Sequence, residues 1–195
     1  MTPIVLKNGS WLNEPVKWSS EEDSINVTTD KATDFWRKTF YGFVRDSGHF
    51  LGHSVEGPFT AEIRVRGRYE ALYDQAGLMV RIDQEKWVKT GVEFTDDMLM
   101  LSTVVTDGQS DWSVTRAWDD ARDFYLRLTV AGGALRVQIS FDQVTWPLLR
   151  LAPFPEASRY WVGPTCCSPE RAGLEVTFSD FKIGPPTAKG LHDLT

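Results

Sequence analysis

The sequence predicts an all-β protein, a sandwich of two stacked antiparallel sheets with negligible helix. Short runs that alternate apolar and polar residues recur along the chain, separated by Gly, Pro and Asp-Gly turns. No segment of useful length repeats its apolar residues at the helical spacing. Because about a dozen short strands are predicted, two stacked sheets fit better than a small closed barrel.

The strands are predicted in chain order. Short strands come first, at Val16–Ser19 and Ser24–Thr29, and Asp34–Arg37 is predicted as a single helical turn. Longer alternating strands follow, each with one apolar face: Phe59–Arg66, Gln75–Ile82, Lys86–Phe94, Met98–Thr106, Asp111–Trp118, Phe124–Val130, Leu135–Phe141, Trp146–Leu151, Tyr160–Gly163 and Leu174–Ile183. In the first of these, Phe59, Ala61, Ile63 and Val65 should face the core.

The length of 195 residues is one that all-β domains often reach undivided, and 42% of the residues are hydrophobic. We predict one sandwich domain over residues 1–184. After Gly184-Pro185-Pro186 the chain is polar, so residues 185–195 are predicted to form a flexible tail.

Composition excludes several classes of function. A net charge of −6 opposes broad contact with a nucleic-acid backbone, which needs clustered cations. No apolar stretch approaches membrane-spanning length, and the N-terminus lacks the pattern of a signal peptide. Cys166 and Cys167 are adjacent and are expected to be reduced thiols. We therefore predict a cytoplasmic protein with no cofactor and no metal, which binds neither nucleic acid nor membrane.

The two central strands, Gln75–Ile82 and Lys86–Phe94, carry the first candidate site. Their core-facing rows are apolar, whereas the opposite rows hold an unusual set for a solvated face: Gln75, Met79, Arg81, Trp87, Lys89 and Glu93. An exposed Trp87 would offer an apolar plate for a sugar ring, with polar neighbours to bond its hydroxyls. The alternative is a polar face on which Arg81 or Lys89 pairs with Glu93 across strands.

Two further candidates lie outside this face. If Trp112 packs in the core, Asp111 and Ser113 face the other way, toward the same groove; alternatively they bond turn backbone. His49 could act as an acid–base group or as a partner of a ligand hydroxyl. The alternative for His49 is a structural histidine that bonds the backbone.

Several motifs in order resemble a known family. They are the run Ala71–Arg81, the run Trp87–Phe94, Leu101–Thr106, Ser110–Ser113, and Gly163-Pro164 with Cys166 and Ser168-Pro169. This pattern, over Trp11–Ile183, is similar to a widespread bacterial and fungal family of uncharacterised proteins with the concanavalin A-like (lectin/glucanase) sandwich fold. Some of its members are labelled as similar to a regulator of enolase. The resemblance implies a jelly roll whose concave face binds a sugar or another ligand.

Three functions compete. The favoured one is binding of a carbohydrate or a carbohydrate-derived metabolite by the polar row with Trp87. The same composition, rich in Trp and Arg, also suits a contact with a protein partner, either a homodimer or a metabolic enzyme that the protein regulates.

A glycoside hydrolase or lyase ranks third, because the Glu-x-Asp-x-x-Glu string of laminarinase-like sandwiches does not occur in the sequence. Its candidates are Glu93, assisted by His49 or meeting Glu62 across strands. With Lys89 and Arg81 nearby, Glu93 is predicted to stay ionised and to suit a base.

Overall fold

The computed structural model describes all 195 residues and confirms the all-β class. Leu6–Asn8 form one turn of 3₁₀ helix. The seventeen strands are β1 (Thr2–Pro3), β2 (Ser10–Leu12), β3 (Lys17–Ser20), β4 (Ser24–Thr28), β5 (Phe35–Arg37), β6 (Val44–Asp46), β7 (His49–Glu56), β8 (Phe59–Gly67), β9 (Gln75–Arg81), β10 (Lys86–Thr95), β11 (Met98–Asp107), β12 (Gln109–Arg116), β13 (Asp123–Ala131), β14 (Ala134–Ser140), β15 (Leu148–Pro153), β16 (Arg159–Cys167) and β17 (Glu175–Gly184).

The strands form two large antiparallel sheets. Sheet A has the order β15-β14-β13-β8-β17-β4-β3, with β1 beside β17, and sheet B has the order β12-β11-β10-β9-β16-β7-β2. Most strands of the two sheets contribute an apolar row to the space between the sheets. The predicted inward rows of β8 and β13 are confirmed: Phe59, Ala61, Ile63, Val65, Phe124, Leu126, Leu128 and Val130 are all buried.

A separate hairpin of β5 and β6 covers the outer face of sheet B. Its residues Phe35 and Trp36 pack on Met79, Trp87 and Val104 of that face, so a second, smaller apolar cluster lies outside the main core. The predicted helical turn at residues 34–37 is therefore wrong. Phe35–Arg37 pair as a strand with β6, and their side chains are buried against the sheet.

Two facing glycines shape the centre of the same face. Gly77 on β9 lies opposite Gly91 on β10. A Cβ on Gly77 would lie 1.9 Å from the carbonyl oxygen of Thr90, and one on Gly91 would lie 2.1 Å from that of Ala76. No side chain can stand at either position, so the outer face has a depression between Lys89 and Glu93.

The C-terminal residues lie against sheet A. The backbone N–H of Trp146 donates to the carbonyl of Leu194 at 2.7 Å, and Arg136 Nη1 donates to the carbonyl of Lys189 at 3.0 Å. The division at residue 184 and the flexibility of the tail stay predictions. Cys166 and Cys167 are free and buried. None of the helical structure is long and apolar enough to cross a membrane.

Candidate functional site

A pocket of about 240 Å³ opens on the outer face of sheet B, beside the β5–β6 hairpin. Its floor comes from β9, β10 and β11, and its walls come from the hairpin, from β12 and from the loops before β9 and after β16. The lining residues are Asp34, Trp36, Tyr41, Phe43, Tyr73, Gln75, Lys89, Glu93, Val104, Trp112, Pro169 and Glu170. Three residues of the predicted polar row, Gln75, Lys89 and Glu93, are thus brought together.

Strand register explains why these three side chains meet. Glu93 lies opposite Gln75 across the β9–β10 pair, and Lys89 lies two residues before Gly91 on the same side of β10. Between Lys89 and Glu93, the paired glycines leave room above the backbone. The alternation of β10 therefore places an ammonium and a carboxyl group on one floor, separated by a gap.

Aromatic rings form the walls. The ring centroids of Trp36 lie 5.8 Å from Tyr41 and 6.5 Å from Trp112, and Tyr73 lies 6.5 Å from Trp112. Tyr41 stacks on Phe43 at 5.2 Å. The hydroxyls of Tyr41 and Tyr73 are 3.3 Å apart, and this hydrogen bond raises the pKa of Tyr73 to about 12. The phenol of Tyr73 is therefore uncharged at neutral pH.

The floor contains a connected set of polar groups. Lys89 Nζ donates to Asp34 Oδ1 at 2.9 Å. Ser102 Oγ donates to Glu93 Oε2 at 2.7 Å and accepts a hydrogen bond from Trp112 Nε1 at 3.1 Å. The wall residue Trp112 is thus linked to the floor carboxyl group through one hydroxyl.

Burial and charge act in opposite directions on the two floor residues. Burial raises the pKa of Glu93, and the opposing effects of Lys89 and Ser102 are too small to reverse it. Burial alone would lower the pKa of Lys89, but the nearby negative charge of Asp34 and Glu93 raises it overall. Lys89 favours ionised Glu93 as predicted, but the net shift of the Glu93 pKa is upward because desolvation dominates, and Arg81 is engaged with Asp46 instead.

Arg81 and Trp87 do not reach the pocket. Trp87 is 0% exposed, with its ring centroid 6.0 Å from that of Phe35 in the covering hairpin. Arg81 donates to both carboxylate oxygens of Asp46, at 2.7 and 2.9 Å. The prediction of an exposed Trp87 plate is therefore wrong, because β5 and β6 cover that half of the row.

The alternative prediction, an ion pair of Arg81 or Lys89 with Glu93, is also wrong. Both cations pair instead with carboxylates of the covering segment, Arg81 with Asp46 and Lys89 with Asp34.

On β12 the predicted orientation is reversed. Trp112 lies opposite Val104, whose side chain belongs to the outer face, so Trp112 lines the pocket and is 36% exposed. Asp111 and Ser113 point the other way, and Arg150 of β15 donates to them at 2.9 and 3.2 Å. They serve as a bridge between the sheets at the edge of the sandwich, and neither lines the pocket.

His49 is a structural residue, as the alternative prediction had it. It is 2% exposed; its Nδ1 lies 2.7 Å from the carbonyl oxygen of Asn13, and its Nε2 accepts from the backbone N–H of Asp30 at 3.0 Å. Both ring nitrogens are therefore occupied by backbone groups. His49 therefore offers no free ring nitrogen for the predicted catalytic or ligand-binding role.

Glu62 cannot meet Glu93. It pairs with Arg127 on the outer face of sheet A, whereas Glu93 lies on the outer face of sheet B. The two carboxyl groups are on opposite sides of the sandwich.

Sequence reasoning missed the aromatic walls. Trp36, Tyr41 and Phe43 come from a stretch, residues 35–43, that contains five aromatic residues around Gly42 and has no strand alternation. An aromatic cluster without periodicity was the available signal, because core aromatics would follow the period of a strand or helix.

The chain is similar to a known protein family and to a named relative. The model of a family described as "Protein of unknown function (DUF1349)" matches residues 11–186. A Saccharomyces cerevisiae protein named "Regulation of enolase protein 1" is 55% identical over 190 residues, which cover 97% of this chain and 96% of that protein.

Solved structures agree on the fold. A crystal structure of a functionally unknown protein from Saccharomyces cerevisiae is 54% identical, with a TM-score of 0.93, and covers 95% of this chain and 100% of its own. A legume lectin-like domain from Entamoeba histolytica reaches a TM-score of 0.62 at 10% identity, over 94% of this chain and 92% of its own. The second likeness concerns the fold alone, and it confirms the predicted lectin/glucanase-type sandwich.

Proposed function

Since the chain belongs to the DUF1349 family, whose function is unknown, we propose from its pocket that it binds a carbohydrate or a carbohydrate-derived metabolite. The observation that carries this proposal is the combination of aromatic walls with a polar floor in one cavity of about 240 Å³. Ligand pockets in proteins combine apolar walls with a few convergent polar groups in this way.

A sugar ring has the complementary chemistry. Its C–H faces pack on aromatic rings such as Trp112 and Tyr73, and its hydroxyls both donate and accept hydrogen bonds. Lys89 offers donors, Glu93 and Asp34 offer acceptors, and Gln75 offers both. Of the residues predicted for this role, Gln75, Lys89 and Glu93 are retained, and Trp112 takes the place of Trp87.

The test is calorimetry with a panel of sugars, on wild type, Trp112→Ala and Trp118→Ala. Trp118 is a matched control, because it is an exposed tryptophan that packs on Phe141 away from this pocket. We expect Trp112→Ala to weaken binding by about tenfold or more, and Trp118→Ala to leave it unchanged. Circular dichroism verifies that both variants fold. Equal affinity of wild type and Trp112→Ala would refute the proposal.

A second candidate function is regulation of a metabolic enzyme through direct contact. The tip of the β5–β6 hairpin exposes Phe40, which is 93% exposed, beside the partly exposed Tyr41 and Val44. Exposed aromatic side chains of this kind are typical anchors of protein interfaces. The name of the yeast relative points to enolase as the partner to test first.

We expect immobilised wild type to retain purified enolase, and Phe40→Ser to retain less. Trp118→Ala again serves as the control for loss of an exposed aromatic residue. Light scattering distinguishes the homodimer form of this hypothesis, in which the same tip would contact a second copy. A monomer that retains no enolase would rule out both forms.

A further inference from the structure

We propose that the pocket selects a sugar that carries a free amino group, and that it discriminates against neutral and phosphorylated sugars. This inference rests on the proposed function and specifies its ligand class. It is argued from the charge of the lining, from the bonding state of Glu93 and from the aromatic walls.

The lining is acidic. Three carboxyl groups, those of Asp34, Glu93 and Glu170, face a single ammonium group, that of Lys89. The contact of 2.9 Å between Lys89 and Asp34 neutralises those two charges locally. Neither Glu93 nor Glu170 forms a salt bridge with a cation of the protein, so the lining attracts a positive ligand and repels phosphate.

Glu93 has room for one more donor. The side chain is 5% exposed, and Oε2 accepts from Ser102, whereas Oε1 accepts no hydrogen bond from the protein. Oε1 keeps contact with solvent on the pocket side, so a donor of a bound ligand can reach it. An ammonium donor from a ligand would form a charge-assisted hydrogen bond there, which is about twice as strong as a neutral one.

The aromatic walls favour the same charge. The faces of Trp and Tyr rings attract cations, and Trp36, Tyr41, Tyr73 and Trp112 stand around the floor. The chain already uses this chemistry nearby, since the guanidinium of Arg45 lies 4.6 Å from the ring centroid of Phe43. Arg45 is exposed to solvent and does not line the pocket.

The experiment compares ligands that share one ring and differ in charge. Calorimetry at pH 7 and low salt would use glucosamine, galactosamine and mannosamine, each against its parent hexose, its N-acetyl derivative and its 6-phosphate. We expect at least one hexosamine to bind at least tenfold more tightly than all three of its counterparts. Its affinity should fall when the salt concentration is raised, because the attraction is ionic.

Three carboxyl-to-amide variants show which carboxyl group produces the preference for the amino sugar. Glu93→Gln keeps the shape of the side chain and removes its charge, and we expect it to bring the hexosamine within about twofold of the parent hexose. Glu170→Gln, at the exposed rim, should reduce the preference without any effect on folding. Glu56→Gln is the matched control, because Glu56 is an exposed carboxylate on β7 that pairs with Arg159 outside the pocket.

Two outcomes would overturn the inference, and they differ in what they leave standing. If hexoses, N-acetyl derivatives or phosphates bind as tightly as the hexosamines, the charge selection is refuted and the proposed sugar-binding function survives. If no sugar of any charge binds, the proposed function fails together with the inference.

Discussion

Glu93 is a carboxyl group on the pocket floor whose ionised form is disfavoured by burial. Burial raises its pKa, although Lys89 and Ser102 favour the ionised form and Asp34 opposes it. A carboxyl group with a raised pKa in the folded state binds more protons than it does in the unfolded state. Ionised Glu93 therefore reduces the free energy of unfolding as pH rises above the ordinary value of 4.5 through the folded pKa.

We predict that Glu93→Gln raises the melting temperature relative to wild type at pH 8, because the glutamine carries no buried charge. The gain should shrink as pH falls, and it should vanish near pH 4, where the wild-type carboxyl group is protonated as well. Calorimetric unfolding of both proteins across this range measures the effect. A difference that is constant with pH would show that ionisation of Glu93 is not its source.

For single residues, the sequence predicts which side chains of a strand share a face, but it does not predict which face of an edge strand is buried. Alternation in β9 and β10 placed Gln75, Lys89 and Glu93 on one face correctly, because both strands are long and pair in register. On β12, Trp112 shares parity with Val114 and Trp118, which favours a core position for its ring, but the ring lines the pocket. β12 is an edge strand with one neighbouring strand, so its apolar residues do not by themselves show which of its faces is buried.

At the scale of elements, the β5–β6 hairpin depends on charge pairs for its place on sheet B. Arg81 pairs with Asp46, Lys89 pairs with Asp34, and Arg37 pairs with Glu85. Arg81 and Lys89 are mostly buried, so removal of one partner leaves a charge without compensation in a poorly hydrated site.

We predict that Arg81→Ala lowers the free energy of unfolding by about 3 kcal/mol, since Asp46, whose side chain is only 21% exposed, then loses its partner. Urea denaturation measures it. Arg159→Ala removes an exposed arginine whose partner Glu56 is also exposed, and it should cost less than about 1 kcal/mol. Equal losses in the two variants would mean that the Arg81 pair does not hold the hairpin.

The hairpin itself could not be predicted from its own residues. Asp34–Arg37 resembled a capped helical turn, and only contacts with Met79, Trp87 and Val104 make it a buried strand. Those partners are distant in sequence, so local propensity carried no information about them.

At the scale of the whole molecule, the two outer faces have separate roles. The outer face of sheet B carries the pocket, and the outer face of sheet A is occupied by ion pairs such as Glu62–Arg127 and by the C-terminal residues. The sandwich and its family resemblance were predictable because many strands and ordered motifs agree on them. The pocket was only half predictable, since its walls depend on the hairpin.

We predict that deletion of residues 188–195 lowers the melting temperature and leaves ligand affinity unchanged. The deletion removes the bonds from Trp146 to Leu194 and from Arg136 to Lys189 on sheet A, while the pocket lies on the opposite sheet. Thermal unfolding and calorimetry measure the two effects. An unchanged melting temperature would instead support the flexible tail that the sequence predicts.

The β5–β6 hairpin also affects how the ligand preference of this fold can change in evolution. Asp34, Trp36, Tyr41 and Phe43, which make one wall of the pocket, lie within ten consecutive codons, whereas the floor belongs to the shared sheet. Substitutions at Tyr41 and Phe43, at the tip of that stretch, change the wall, while Asp34 and Phe35 keep their contacts with sheet B. Selection can therefore change ligand preference at the tip of the hairpin without the loss of stability that changes at its base would cause.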